Sequence, residues 1–498
     1  MLDVDSKWYL AARPSETSDD LRDVYSADRT LDLRGVHSLL QFGAVIPPLS
    51  VWREVRRAIP SPRISEQDRA SSVSDARIPI CAPGTLGAQQ ETVLGILDRL
   101  IAQASPKGRL IVLFSGGVDS GLLAARAAVL GFKDAVLVHY SFGAGDAETI
   151  LAERMARHLG LRFWRIEHSG DDATADTLKN AGNYYRVPFC DHSTVPTCAL
   201  VRSVCKEFGT GHVVLDGTGA DGAFGMTAKA EQWIRLCGLS GPALRLGGAL
   251  YRIAKLWSRE STVERYCRLM RRAFALPYPL AAVAQNPLEG IAYEVDADVR
   301  DEVNAIAMDW LRSFCPQDPR RELTAIDMAL TCANIFAQKS WSLFRDAGVP
   351  VVYPFLSPEM FDVAMQLTAW PGAPEPKWVL KAALEQSVPV EMVRRPKSGF
   401  TARTAEIFRH PAFLEAYRPL ADGTSPISGM LKSEFFEWLR PKISAGHPVP
   451  AQTANLIWGA VFTSQWLTQV KQRKIRAGTD AASASICEAA RRIRTDVD

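Results

Sequence analysis

The sequence contains no run of apolar residues long enough to cross a membrane as a helix. Its acidic start, residues 1–6, is not followed by the apolar core of a signal peptide. The nine cysteines are scattered along the chain and form no C-x-x-C pair, which argues against a structural zinc site. These absences predict reduced, mostly buried thiols in a cytoplasmic protein that has no membrane partner.

The chain also lacks a strong excess of either charge, because 58 Lys and Arg residues balance 55 Asp and Glu residues and leave a formal net charge of +3. This balance does not indicate a nucleic-acid partner. The basic stretch 491–494 is more typical of a solvated tail. With 498 residues, the chain is long enough for two or three domains around a large core.

Short apolar runs alternate with helical patterns in the first half of the chain. They predict strands at 109–114, 135–140, 162–166 and 212–215, and helices at 92–104, 121–128 and 146–159. Strands that alternate with helices form a parallel, doubly wound sheet. The stretches 227–341 and 412–470 are predicted to be largely helical, and no repeat of fixed period is present.

The most informative segment is the turn Ser-Gly-Gly-Val-Asp-Ser, which follows the first predicted strand and precedes a helix. Such a turn offers backbone N–H groups and the positive end of a helix dipole, and its glycines let a phosphate approach the backbone. Asp119 cannot bind a polyanion directly, so we expect it to hold Mg²⁺. An ordinary glycine turn is the alternative. The residues expected to bind phosphate are Ser115, Gly116, Gly117 and Ser120.

A second glycine-rich turn, at 216–225, follows the fourth predicted strand. Ligands of doubly wound sheets bind at the carboxyl ends of the strands, so Gly217 and Gly219 can complete the phosphate site from the other side. Asp119 and Asp221 would then share the metal ions on a leaving pyrophosphate. Taken alone, this turn would more often be a plain loop. Paired with the first turn, it favours a nucleotide site.

Two later stretches add to this pattern. Residues 351–364 predict a proline-punctuated turn that enters an amphipathic helix, with mostly a packing role. Residues 394–400, Arg-Arg-Pro-Lys-Ser-Gly-Phe, place Lys397 in a short basic loop. A surface run of this kind is usually solvated. A fixed ammonium near a developing oxyanion and pyrophosphate would nevertheless stabilise a transition state, so Lys397 is a candidate catalytic residue.

The four stretches SGGVDS, DGTGADGAFGM, YPFLSP and RRPKSGF occur in the order of the motifs of the asparagine synthetase family, and residues 90–470 resemble its synthetase domain. The resemblance implies an adenine nucleotide α-hydrolase-like α/β fold, in which a doubly wound parallel sheet is joined to a largely helical second half and a short N-terminal remnant. It divides the chain into a glutaminase-type remnant plus linker at 1–90, an ATP pyrophosphatase domain at 91–475 and a flexible tail at 476–498.

The same resemblance implies the chemistry. ATP and Mg²⁺ would be the cofactors of an AMP-forming ligase, which joins a carboxylate to an amine through an acyl-adenylate. Val138 and Tyr140 would take the place of the adenine contacts, and Thr218, Asp221 and Lys397 would be the catalytic residues. The substrates would be small molecules or a precursor peptide, and a partner protein could supply ammonia or substrate. No nucleic acid is expected.

Two departures from the family pattern bear on the substrate. Members that use glutamine begin with a catalytic cysteine, whereas residue 2 here is Leu and the first cysteine is Cys81, so the chain is not expected to hydrolyse glutamine. In the second turn, Thr218 replaces the family glutamate and Gly222 replaces the second acid. Because threonine is a poor general base near neutral pH, Thr218 is expected to orient an amine while another group takes the proton.

These departures favour a specialised amide former that resembles the β-lactam synthetase or lasso-peptide cyclase branch. Formation of a lactam or macrolactam in natural-product biosynthesis would fit. Ammonia-dependent amidation of aspartate or another small acid is the alternative within the same class. A relative that binds nucleotide without catalysis is the alternative of another class. The sequence does not identify the two substrates, the proton acceptor or the oligomeric state.

Overall fold

The computed structural model describes residues 20–22, 29–57, 86–104, 109–143, 146–167, 170–239, 241–254, 262–285, 288–313, 318–368, 375–395, 404–447, 449–450 and 453–473. Lys397 and the predicted tail lie outside these residues, as does nearly all of the predicted linker between 60 and 87. No helix among the described residues is both long and apolar enough to span a membrane.

Five parallel strands form one sheet in the described part of the chain. They are β1 Arg109–Leu113, β2 Val136–Ser141, β3 Arg162–Glu167, β4 His212–Leu215 and β5 Val351–Val352. Their order across the sheet is β3-β2-β1-β4-β5, and every neighbouring pair is parallel. The first four strands match the predicted strands to within one residue at each end. The predicted doubly wound α/β fold is therefore confirmed.

The position of the first strand determines where a ligand can bind. From β1 the chain moves outward to β2 and β3 and then crosses to β4 on the other side of β1. This reversal is a topological switch point, and ligands of doubly wound sheets bind there, at the carboxyl ends of the strands. Ile111 of β1 and Val214 of β4 are completely buried, as expected for central strands that helices cover on both faces.

In the first half of the chain, helices precede the first strand and connect the next three strands. They are α1 Leu33–Phe42, α2 Leu86–Gln103, α3 Val118–Val129, α4 Ala147–His158, α5 Gly170–Lys179, α6 Ala181–Tyr184 and α7 Thr194–Phe208.

The second half is almost entirely helical, as predicted. Its helices are α8 Ala220–Phe224, α9 Thr227–Cys237, α10 Gly241–Ala254, α11 Thr262–Ala275, α12 Leu280–Val283, α13 Ala297–Arg312, α14 Pro319–Ile326, α15 Ala337–Asp346, α16 Pro358–Thr368, α17 Trp378–Leu384, α18 Val390–Val393, α19 Thr404–Arg409, α20 Pro411–Ala421, α21 Ser433–Ser444 and α22 at 453–473. A π-helix, Asp327–Phe336, joins α14 to α15.

The stretch 351–364 is more than the predicted turn and helix. It begins with β5, continues as the 3₁₀ turn Pro354–Leu356 and then enters α16. A strand of two residues is too short to show alternation, which is why the sequence pattern did not indicate it. Phe355 and Leu356 are buried, so this stretch has the packing role that was expected of it.

The described N-terminal segment packs into the core of the chain. Helix α1 is buried from Gly35 to Phe42, and Asp32 caps it by accepting a hydrogen bond from the N–H of Arg34. The N–H of Cys190 donates to the carbonyl of Gly43 (2.7 Å) at the end of the helix. The six cysteines in the described residues are free thiols, and four of them are buried, as predicted.

Candidate active site

The first glycine turn connects β1 to α3 and is closed by its own serines. The N–H of Ser115 donates to Ser120 Oγ (3.1 Å), and the N–H of Gly117 donates to Ser115 Oγ (3.2 Å). Gly116 has a φ of +72°, and a Cβ there would lie 2.7 Å from Cα of Ala152. Only glycine fits this position. The turn therefore presents the N-terminal N–H groups of α3 at the switch point of the sheet.

The second glycine turn lies against the first. A Cβ on Gly217 would lie 3.3 Å from both Asp119 Cβ and Ser120 N, so the two turns are in contact. Gly219 has a φ of +108°, and a Cβ there would lie 2.6 Å from Leu356 Cδ2. The structure thus brings the predicted phosphate-binding residues of both turns together.

Lys377 joins the two aspartates for which the sequence predicted a shared metal. Its Nζ lies 2.6 Å from Asp119 Oδ2 and 2.6 Å from Asp221 Oδ1. The residue is 8% exposed and precedes α17 with a φ of +58°, the one positive φ of a non-glycine residue in the described ranges. Burial acts to lower the pKa of Lys377, but the two carboxylates outweigh it and raise the pKa. The ammonium is therefore charged at neutral pH.

The acid pair also fits a magnesium ion that arrives with a nucleotide. Asp119 and Asp221 direct carboxylate oxygens at the same ammonium, and a pair of carboxylates of this kind can also bind a divalent ion. Within the described ranges, no group of three or more His, Cys, Asp or Glu side chains forms a metal site. Mg²⁺ commonly takes one or two carboxylates and completes its shell with phosphate oxygens and water. The pair suits such an ion and does not form a complete metal site by itself.

The two turns line a cleft of about 530 Å³. Val138 and Tyr140 of β2 line the same cleft, so the residues that would take the place of the adenine contacts stand beside the phosphate turns. Tyr140 is 5% exposed, and burial raises the pKa of its hydroxyl far above neutral, so the side chain is uncharged. The cleft therefore offers an apolar wall at the sheet and a polar, charged floor at the turns.

Thr218 is held by a carboxylate that the sequence pattern did not single out. Its N–H and its hydroxyl both donate to Asp216 Oδ1, at 2.9 Å and 2.7 Å. Ser340 donates to the other oxygen, Asp216 Oδ2 (2.9 Å), and the hydroxyl of Tyr353 lies 2.9 Å from Ser340 Oγ. Because the Thr218 hydroxyl donates its proton to Asp216, this side chain is oriented by the turn and is not arranged as a base.

A second polar group lines the cleft and was also missed. Lys339 Nζ donates to Asp191 Oδ2 (2.7 Å) and to Ser193 Oγ (2.7 Å). Burial acts to raise the pKa of Asp191, but Lys339 and His192 outweigh it and lower the pKa. His192 Nδ1 is hydrogen-bonded to Asn455 Oδ1. These residues come from segments far apart in the chain, so no local pattern could have found them.

The stretch that contains Lys397 is described only up to Arg395. The Nη2 of Arg395 donates to the carbonyl of Gly116 (2.9 Å), and its Nη1 lies 3.1 Å from Glu148 Oε1. The start of this basic stretch is therefore fixed to the first glycine turn, and the predicted role of Lys397 stays a prediction.

A comparison with protein families gives a match over most of the chain. The family described as asparagine synthase matches residues 97–468, a range that contains both glycine turns and Lys377. The chain belongs to the asparagine synthase family. Among curated relatives, this asparagine synthase-family chain is similar to proteins of Mycobacterium bovis and Mycobacterium tuberculosis named "Putative asparagine synthetase (glutamine-hydrolyzing)". Each is 25% identical over 423 residues, which are 80% of this chain and 62% of the mycobacterial protein.

A solved structure of an NMN synthetase from Francisella tularensis was also matched. It is 11% identical, covers 53% of this chain and 95% of its own, and has a TM-score of 0.20. The fold of this asparagine synthase-family chain is established by its sheet order and by the family match.

Proposed function

We propose that this chain uses ATP to activate a carboxylate and then joins it to an amine. A carboxylate oxygen of the substrate attacks the α-phosphorus of ATP, the bond to the β-phosphate oxygen breaks, and pyrophosphate leaves. The amine nitrogen then attacks the acyl carbon of the acyl-adenylate. The bond between carbon and the adenylate oxygen breaks, AMP leaves, and the amine gives up a proton to a base.

The observation that carries this proposal is the convergence of Asp119 and Asp221 on Lys377 beside the first glycine turn. A triphosphate needs N–H donors and cations, and the turn and the ammonium supply both. Mg²⁺ held by Asp119 and Asp221 would neutralise charge on the leaving pyrophosphate. Lys397, in the same basic stretch as Arg395, would add a second ammonium.

The altered second turn supports a specialised amide former. Thr218 stands where the family has a glutamate and donates its hydroxyl proton to Asp216, so another group must accept the proton of the amine. His192 lines the same cleft, and a hydrogen bond from its Nδ1 position to Asn455 orients the ring. A neutral imidazole is an effective proton acceptor near neutral pH. We assign this role to His192, with an amine of the same substrate molecule as nucleophile, so that the product is a lactam or macrolactam.

Exchange of labelled pyrophosphate into ATP tests the proposal. The wild-type chain is mixed with aspartate, glutamate and peptides that carry both a side-chain carboxylate and a free amine. Exchange should depend on the acid and be lost in Asp119→Ala and Lys397→Ala, whereas Asp134→Ala, which alters an exposed aspartate outside the cleft, should behave as wild type. Exchange with aspartate followed by asparagine formation from ammonia would favour the simpler amidation. Conversion of ATP to ADP would contradict the proposal.

A further inference from the structure

A second cavity, of about 680 Å³, lies beside the helices α10 and α11. Residues 241–275, which include both helices, contain eight Lys and Arg residues and only two Glu, in a chain whose net charge is +3. Three of these arginines, Arg245, Arg271 and Arg272, line the cavity. The positive charge of this helix pair is therefore directed in part into a concave surface, which we name the arginine groove.

Arg272 gives the arginine groove the character of an anion site. The residue is 7% exposed, its guanidinium lies 4.9 Å from the centre of the Trp233 ring, and its Nε has no hydrogen-bond partner among the described residues. Burial, and then the neighbouring Arg268, lower the pKa of Arg272 to about 9. A buried cation next to a like charge is costly unless an anion pairs with it. A ligand carboxylate in the groove would supply that anion.

The remaining lining of the arginine groove favours a peptide. Its acidic residues include Glu289, which lies 3.4 Å from Arg300, so the lining carries both signs of charge and is not the uniformly basic surface that a nucleic-acid backbone requires. Phe274 is 46% exposed and lies under the guanidinium of Arg245, 5.4 Å from ring centre to guanidinium carbon. Basic, acidic and aromatic contacts together suit a chain that presents carboxylates, amides and apolar side chains in turn.

The arginine groove is next to the nucleotide cleft. Gln41 lines the groove, and its carbonyl accepts a hydrogen bond from the N–H of Gln285 (2.8 Å). Gln285 lines the cleft. A hydrogen bond between one lining residue of each cavity therefore places the two cavities side by side.

We propose that the arginine groove holds an acidic peptide segment of the molecule whose carboxylate is activated in the cleft, an inference that rests on the proposed function. Fluorescence anisotropy of the full chain with a labelled peptide of alternating Asp and Gly tests it. The comparison ligands are a peptide of alternating Lys and Gly of equal length, a short single-stranded RNA and vesicles that contain phosphatidylserine. The groove variants are Arg272→Met and the exposed Arg245→Glu, and the control is Arg235→Glu, an exposed arginine of α9 outside the groove.

The acidic peptide should bind the wild type in preference to the basic one, and each groove variant should weaken its binding by at least about tenfold. The control should bind as wild type does, and ATP binding should be the same in all four proteins. Equal binding of the acidic peptide to the wild type and to every variant would overturn the proposal. It would also be overturned if RNA or vesicles bound the wild type more tightly than the acidic peptide did and the groove variants abolished that binding. Failure of the proposed function would give a different result from failure of this inference. In that case the chain would not bind ATP but would still bind the acidic peptide.

Discussion

The Nζ atom of Lys377 lies 2.6 Å from Asp119 Oδ2, although 257 residues separate the two positions in the chain. The same ammonium lies 2.6 Å from Asp221 Oδ1. Two carboxylates this close repel one another unless a cation lies between them. Lys377 supplies that cation, so it holds in place the two carboxylates that we propose as ligands of Mg²⁺.

We expect Lys377→Met to destabilise the protein and to increase its response to Mg²⁺. Loss of the ammonium removes a buried cation that pairs with the mostly buried carboxylate of Asp119, which costs about 3 kcal/mol. Without nucleotide, added Mg²⁺ should therefore raise the melting temperature of the variant more than that of the wild type. Lys381→Met, which removes a lysine of α17 that is paired with Glu375, is the control and should not change the Mg²⁺ response. Equal Mg²⁺ responses in variant and wild type would contradict this account of the acid pair.

We expect Gly116→Ala to disrupt the first glycine turn, whereas Gly131→Ala should have a small effect. Both glycines have a positive φ, so each alanine carries a conformational cost of about 1 kcal/mol. Only at position 116 would the new Cβ collide with backbone, 2.7 Å from Ala152 Cα, whereas nothing lies within 4 Å at position 131. Thermal denaturation and an ATP titration measure the difference. If both variants bound ATP as wild type does, the close approach of the turn to α4 would be of no consequence.

Stability should fall as the pH falls below about 6.5, in part because of His37. This histidine is completely buried, and burial, followed by the charge of Arg300, lowers its pKa from 6.5 to about 4. Between pH 6.5 and pH 4, His37 therefore binds a proton in the unfolded chain but not in the folded chain. Because of this group, the free energy of unfolding should decrease by about 2 kcal/mol from pH 7 to pH 5.

The variant His37→Phe keeps an aromatic ring next to Tyr293, whose ring centre lies 6.0 Å from that of His37, and removes the titrating group. Melting temperatures of wild type and variant at pH 7 and pH 5 make the test. The decrease in melting temperature from pH 7 to pH 5 should be smaller in the variant than in the wild type. An equal loss in both proteins would show that His37 does not contribute.

His192→Gln should separate the two halves of the proposed reaction. Glutamine can keep a hydrogen bond to Asn455 but cannot accept a proton at neutral pH. Pyrophosphate exchange should persist, while amide formation should slow by about a hundredfold or more. His158→Gln on α4, outside the cleft, is the control. If the variant lost both pyrophosphate exchange and amide formation, or lost neither, His192 would not be the proton acceptor.

The sequence predicted the features that depend on local pattern. Four strands, the two glycine turns and their position at the carboxyl ends of strands follow from short apolar runs and glycine content, and the structure has them, whereas the strand order that creates the switch point came only from the structure. The sequence did not predict β5, which is too short to show a period, or the π-helix Asp327–Phe336, whose apolar pattern resembles that of an ordinary helix.

Lys377 and His192 were missed for a different reason. Each is a common residue type in an ordinary local context, and each becomes part of the cleft only through contacts with distant segments. No period or motif in the printed sequence carries that information. The role of Asp216 could have been suspected, because it is a second aspartate close to Thr218, in the same turn as Asp221.

The most direct test of acyl-adenylate formation is the fate of a carboxylate oxygen. The acid that supports pyrophosphate exchange is labelled with ¹⁸O in its carboxyl group and is incubated with the chain, ATP, Mg²⁺ and the amine. The account predicts that one labelled oxygen appears in the phosphate group of AMP, because the carboxylate attacks the α-phosphorus and the adenylate oxygen leaves with AMP. Amide product accompanied by unlabelled AMP would contradict it.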